Sequence, residues 1–352
     1  MYILIAILSF GILIFVHEMG HFIAAKSCGV KVLEFAMGMG PQILHRQVGE
    51  TDYSLRLLPI GGFCAMEGED EDSDDPRSFS VQPLWKKLII LVAGAFMNFL
   101  LGFLITALLF VGSTGFFSNR LDSFREGCPY EGTLQAGDRI HSVNGERVFF
   151  SGNFSEYVGR NAPDGRIDLV IIRDGRRIEI DDYYMVPVEY PAENGGTEWK
   201  YGINFAVEPN NFATWLRYSW YNCLDFVRLV RIGLTDLITG NAAVTDMAGV
   251  VGIVDIINET GQNAATVSQG LSDIAFMVAL IAVNLAVMNM LPIPALDGGH
   301  VLTLCLSALW TKITGCEPDT RIENWIHSIG LMLLMLLMVF IMYNDISRIL
   351  SR

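Results

Sequence analysis

Four stretches of this chain are apolar over about twenty residues each, and any fold must accommodate them. They run from Met1 to about Ala25, Leu88 to Gly112, Leu271 to Leu291 and Trp325 to Tyr343. A hydrocarbon core about 30 Å thick is crossed by roughly 20 residues of helix. Of the 352 residues 51% are hydrophobic and 18% charged, where roughly 25% charged is usual for a soluble domain. The expected fold class is therefore a polytopic α-helical membrane protein with about four transmembrane helices. The first stretch lacks a basic flank and a small-residue cleavage site, and it runs straight into His-Glu-Met-Gly-His. It reads as a retained helix rather than a cleaved signal peptide.

Basic residues at the membrane ends orient such a chain. Lys26 and Lys31 follow the first span, and Lys86 and Lys87 precede the second. The loop between them is expected on the cytoplasmic side, and the long segment after the second span outside. The net charge is −14. Much of it sits in Glu67–Asp75, where seven of nine residues are acidic, a composition that reads as a solvated loop. No basic stripe points to nucleic acid. The six cysteines contain no Cys-x-x-Cys pair, so neither a disulfide scaffold nor a cysteine zinc knuckle is indicated.

The segments between spans have their own patterns. Thr51–Leu57 alternates polar and apolar residues between two glycine-rich turns, which predicts a strand in a small membrane-associated β-loop. Residues 117–208 carry short β-rich runs broken by Asp-Gly and Asn-Gly, so a compact inserted domain is expected there. From Asn211 to about Leu237 the chain is amphipathic, with aromatics and arginines suited to the membrane interface. The predicted organisation is 1–116 (N-terminal membrane part), 117–208 (inserted domain), 209–270 (interfacial helix and linker) and 271–352 (C-terminal membrane part).

Chemistry concentrates in two places. His17-Glu18-Met19-Gly20-His21 puts two imidazoles one helical turn apart, where both can reach one ion, with Glu18 beside them to take a proton from a water. Polar groups inside an apolar helix cost several kcal/mol unless paired or functional, so this setting favours a metal site over a chance motif. A hydrolytic zinc site takes a third protein ligand and keeps one position open. The best candidate is Asp297, in Asn289-Met290-Leu291-Pro292-Ile293-Pro294-Ala295-Leu296-Asp297-Gly298-Gly299, with His300 as its rival. Prolines interrupt helical bonding there, and irregular backbone at membrane depth is tolerated where it lines a cavity. Zn²⁺ in such a site brings the pKa of a bound water to about 7. Glu18 is expected to take that water's proton and pass it to the leaving amine.

HExxH in a first helix, paired with NxLPxPxLDGG in a later one, resembles the site-2 protease family of intramembrane metalloproteases. The order of parts is similar to its bacterial regulator-of-sigma-E-protease branch. The resemblance implies an intramembrane zinc endopeptidase of the bacterial cytoplasmic (inner) membrane, with its active site toward the cytoplasm. Implied substrates are single-span membrane proteins, such as anti-sigma factors and signal-peptide remnants. It implies His17, His21 and Asp297 as ligands and Glu18 as the catalytic acid–base. Asn289, Pro292, Pro294 and Asn98 fall on substrate-handling positions. Leu57 joins them as part of a strand edge that can pair with an unwound substrate. Two departures stand out: Gly94-Ala95 where the family carries Gly-Pro before Asn98, and Gly249-Val250 where a proline is expected.

Leu134-Gln135-Ala136-Gly137-Asp138-Arg139-Ile140-His141-Ser142-Val143-Asn144-Gly145 is similar to the core motif of PDZ domains. The inserted domain is then expected to be PDZ-like, α+β and extracytoplasmic. It either captures a peptide C-terminus by strand addition or serves as a steric lid. An inactive scaffold should have lost Glu18 or a ligand, and all are present. A zinc transporter should carry several embedded His and Asp sites, where this chain has one constellation with a water-activating glutamate. In sealed vesicles, cysteine labelling should reach Glu67–Asp75 from the cytoplasmic side and the Asn144 region from the opposite side. Labelling of both from one side overturns the orientation.

Overall fold

A computed structural model describes residues 1–69, 73–161, 164–191, 196–316 and 320–351. Helix α1, Tyr2–Cys28, is apolar almost throughout and stops at Gly29, whose left-handed backbone (φ 80°) returns its N–H to the last turn. Two long strands follow, β1 (Val32–Val48) and β2 (Thr51–Met66), and then α2, Leu84–Phe110. Residues 70–72 of the acidic run lie outside the described residues. At its described ends Lys31 donates to Glu67 at 2.9 Å and to Asp75 at 3.5 Å.

The β1–β2 pair is bent back on itself. Residues 42–48 oppose 51–56 in descending register, and 32–37 oppose 62–66 in the same way. Residues 34–37 also face Asp52, Tyr53, Ser54 and Leu55 in ascending register. The hairpin thus forms four runs, ordered 62–66, 32–37, 51–56 and 42–48 across the sheet. Glu34 ties the inner runs together, accepting from Ser54 Oγ at 2.5 Å, Arg56 at 2.7 Å and Gln42 at 3.2 Å. Partial burial pushes its carboxyl up, but these bonds outweigh that and hold it below its ordinary value. Gly38 is required at the fold-back: at φ 84° an added Cβ would overlap the Leu58 carbonyl oxygen. The expected strand edge at Thr51–Leu57 is corrected here. Residues 52–55 lie between two other runs and have no free edge, and Leu57, 56% exposed, sits between Arg56 and Leu58, which pair with Gln42 and Met39.

Contacts divide the chain into residues 1–109 with 222–352, and residues 110–221. The second unit holds β3 (Gly115–Phe124), β4 (Arg139–Val143), β5 (Glu146–Arg147), α3 (Ser151–Asn161), β6 (Arg166–Arg173), β7 (Arg176–Tyr184), β8 (Val188–Pro191), β9 (Thr197–Lys200) and β10 (Ile203–Pro209). The main sheet runs β10-β3-β4-β6-β7, with β5 on β4 and a separate β8-β9 pair. Leu134, Ile140 and Val143 of the Leu134–Gly145 motif are fully buried with Phe154, Tyr157 and Leu169. Asp138 accepts from Arg173 twice at 2.7 Å and from the Gln135 N–H at 2.8 Å. Asn144 and Gly145, at φ 49° and 81°, make the tight turn that an Asn-Gly pair favours between β4 and β5. The motif therefore builds the core and its turns. A groove of about 510 Å³ lies between α3 at Ser151–Ser155 and the 199–205 segment, with Arg125 and Phe117 on its wall.

The remaining elements are α4 (Phe212–Thr239), α5 (Val250–Asn263), α6 (Val267–Asn289), α7 (Asp297–Thr314) and α8 (Thr320–Leu350). The stretch expected as a linker after the amphipathic helix therefore holds a further helix, α5. Its N-terminus is capped from the end of the chain: Asp345 on α8, fully buried, accepts from the Gly249 and Gly252 N–H groups at 3.0 and 2.8 Å. Val250 opens α5, where a proline would also be tolerated. Among the described residues, four helices are long and apolar enough to cross a membrane: α1, α2, α6 and residues 325–350 of α8. They coincide with the four stretches read from sequence.

Candidate metal centre

Three elements distant in sequence converge here. α1 contributes His17 and His21 from successive turns. α2 packs closely against them because Gly20 and Gly94 face each other: a Cβ on Gly20 would overlap the Ala93 carbonyl, and one on Gly94 would overlap His21 Nε2. Small residues allow such close approach of membrane helices. The third element is the irregular stretch after α6. Gly298 and Gly299 lie against the backbone of Met290–Ile293, where a Cβ has no room. This tight fold sets Asp297 in the first turn of α7, facing the imidazoles.

The His17 and His21 Nε2 atoms are 3.2 Å apart. Asp297 Oδ2 lies 3.3 Å from the first and 3.4 Å from the second. A tetrahedral ion with bonds of about 2.0–2.2 Å sets its ligand atoms about 3.3–3.6 Å apart, so the triangle has the edge lengths of one face of such a site. His21 Nδ1 lies 2.8 Å from the buried Ile90 carbonyl and donates to it. In the neutral ring this leaves the Nε2 lone pair turned toward the triangle. Asp297 Oδ2 is buried and lacks a hydrogen-bond partner. Two imidazole nitrogens and a carboxylate oxygen converging on one point, the oxygen with no hydrogen-bond donor of its own, fit a cation. His17, His21 and Asp297 are the described cluster of ligand-type side chains close enough to hold one.

Asn98, expected among substrate contacts, is fully buried and has no surface to offer a substrate. Its Nδ2 lies 3.4 Å from His17 Nδ1, while its Oδ1 is buried without a partner. Turning this near-symmetric amide over lets the oxygen accept the Nδ1–H, which satisfies the orphan and orients His17 as Ile90 orients His21. Asn289 ends α6 with its Nδ2 3.3 Å from His17 Nε2. Pro292 is exposed. Pro294 is half-buried and packs against Gly330 of α8. His300, the rival ligand, stacks instead on His327 with ring centroids 3.8 Å apart.

Glu18, one residue along α1, faces the hairpin. The Cys64 backbone N–H is directed at its carboxyl group. An apolar cleft of about 240 Å³ opens beside it, walled by Ile7, Gly11, Phe15, Met37 and Gly62. Sequence reasoning missed Ile90 and Gly94. A carbonyl has no sequence signature, whereas a lone glycine deep in an apolar helix is a readable sign of close packing.

The sequence model of peptidase family M50 matches residues 5–337. A candidate zinc metalloprotease of Clostridium perfringens is 34% identical over 355 residues, 98% of each chain. One of Campylobacter jejuni is 30% identical over 366 residues, 99% of this chain and 94% of that one. The regulator of sigma-W protease RasP of Bacillus subtilis is 28% identical over 427 residues, 97% of each chain. Zinc is the cofactor named for the first two of these relatives.

Purified protein should hold one zinc per chain. Asp297→Ala should lower that occupancy by at least tenfold in metal analysis, and His300→Ala should leave it unchanged. The reverse pattern moves the third ligand to His300.

Proposed function

Because the chain belongs to peptidase family M50, the site-2 protease family of zinc metalloproteases, we propose that it is an intramembrane endopeptidase cutting single-span membrane proteins. The triangle of His17, His21 and Asp297, with 3.2–3.4 Å edges inside apolar helices, carries this reading. These three residues would hold Zn²⁺ and leave one position open. The bound ion would polarise the scissile carbonyl and acidify a water. Glu18 accepts the proton of the attacking water and delivers it to the leaving amide nitrogen. Asn98 and the Ile90 carbonyl keep both imidazoles in the tautomer that presents Nε2. Asn289 and the exposed Pro292 flank the reacting bond from the side of α6.

A transmembrane helix hides each carbonyl in an intrahelical bond. A substrate must therefore be unwound and its backbone re-bonded, which a strand edge can do. The outer edge of the 62–66 run is the best placed, because the register puts one strand on its inner side and Gly62 brings its outer side beside Glu18. The 240 Å³ cleft beside Glu18 has room for one large apolar side chain. Lys26, Lys31, Lys86 and Lys87 favour a cytoplasmic position for this side of the bacterial inner membrane. The relative that regulates sigma-W supports an anti-sigma factor as substrate.

The 110–221 unit supports a PDZ-like reading in which a peptide C-terminus lies in the groove between α3 and residues 199–205. Arg125 and Lys200 sit at this groove, both paired with Glu198 at 2.7 and 2.8 Å, and a peptide carboxylate would compete with Glu198 for them.

Two measurements test these readings. Glu18→Gln should keep its zinc while cleavage of a single-span substrate falls by about 10²- to 10⁴-fold. Cys64→Pro, which removes a backbone donor from this run, should also keep zinc and cut an intact helical substrate at least tenfold more slowly. Unchanged cleavage by Cys64→Pro removes the edge and leaves the hydrolase assignment standing. For the groove, a peptide ending in a free carboxylate should bind the full-length protein at least tenfold tighter than its C-terminal amide. Equal or absent binding favours the steric lid.

A further inference from the structure

The turn that leads into Asp297 is held by a side chain on the last helix. Ala295 has φ 73°, in the left-handed region that residues with a Cβ rarely adopt. Its N–H donates to His327 Nδ1 of α8 at 3.1 Å. The other ring nitrogen, His327 Nε2, lies 3.4 Å from Thr303 Oγ1 on α7, and that hydroxyl also faces the Gly299 and His300 carbonyls at 3.2 and 3.1 Å. The His300 ring stacks on the His327 ring at an interplanar angle of 8°. One turn further along α8, Gly330 lies so close to Pro294 that a Cβ there would overlap the proline ring. Helix α8 supplies no member of the triangle, yet it grips the chain on both sides of Asp297.

We propose that His327 is a positioning residue for the metal centre: by accepting the Ala295 N–H it fixes the left-handed turn that aims Asp297 at His17 and His21. This rests on the reading of Asp297 as a ligand. A backbone N–H needs an acceptor, so the ring must present the Nδ1 lone pair and carry its proton on Nε2, next to Thr303. Without that acceptor, Ala295 has no hydrogen bond to offset its strained backbone and relaxes toward negative φ. The start of α7 then turns, and a shift of about 1 Å at such a group can cost 10²-fold in rate.

The test compares His327→Ala, His327→Asn and His327→Gln in the full-length detergent-solubilised protein. An asparagine oxygen can occupy the place of Nδ1, whereas a glutamine oxygen reaches that of Nε2. Zinc affinity is read by chelator competition, and kcat and KM on a single-span substrate. His327→Ala should weaken zinc binding by about 10- to 100-fold and lower kcat with KM little changed. His327→Asn should recover most of both losses, and His327→Gln should behave like the alanine variant. The proposal is overturned if His327→Ala binds zinc like the unaltered protein, even with a lowered melting temperature, or if Asn and Gln rescue equally. If the alanine variant does not fold, the Asn–Gln contrast still decides. Asp297→Ala, run alongside, separates the two claims: zinc retained there sinks the ligand assignment itself, whereas zinc lost there but kept in His327→Ala sinks only the positioning role.

Discussion

A membrane interior offers no water to a polar side chain, and the centre of this protein is arranged around that constraint. Two imidazoles and a carboxylate sit at 3.2–3.4 Å from one another among apolar helices. Each is costly there unless something satisfies it. The surrounding fold serves the same need. Glycines at 20 and 94 let α2 bring the Ile90 carbonyl and Asn98 onto the rings, and glycines at 298 and 299 let an irregular loop bring Asp297 from the far end of the chain. Membership in family M50 makes this a zinc metalloprotease, and the packing explains why three such side chains can meet at one point only with small residues around them.

What was readable in the sequence follows from which signals are local. Spans are a matter of length and apolarity, so all four could be placed within a few residues. His17, Glu18 and His21 were readable because one helical turn fixes their spacing, and Asp297 because two prolines and two glycines announce an irregular loop. The hairpin was only half readable. Alternation marks Thr51–Leu57, but what pairs on either side of it depends on residues 32–37 and 42–48. A positive-φ glycine at 38 hides the return of the chain. The edge was accordingly assigned to an interior run. Asn98 was assigned to substrate because motif position says nothing about burial. Asp345 and His327 gave no signal at all, since a lone polar residue in an apolar helix can face in any direction.

The two ends of α8 do related work. Near its start, His327 and Gly330 hold the loop before α7. Near its end, Asp345 caps α5 with two backbone hydrogen bonds. A buried carboxylate bonded to backbone N–H groups at a helix start also meets the positive end of the helix dipole. The last span is thereby fixed at both extremities to elements that line or support the centre, which accounts for polar residues within an otherwise lipid-facing helix.

The distance along the chain between the parts of the centre has a consequence for how the protein is made. Asp297 follows 276 residues after His21 along the chain. At synthesis rates of about 5–20 residues per second, the interval is roughly 15–55 s. On the proposed assignment, the three-sided site is complete only once Asp297 has been made.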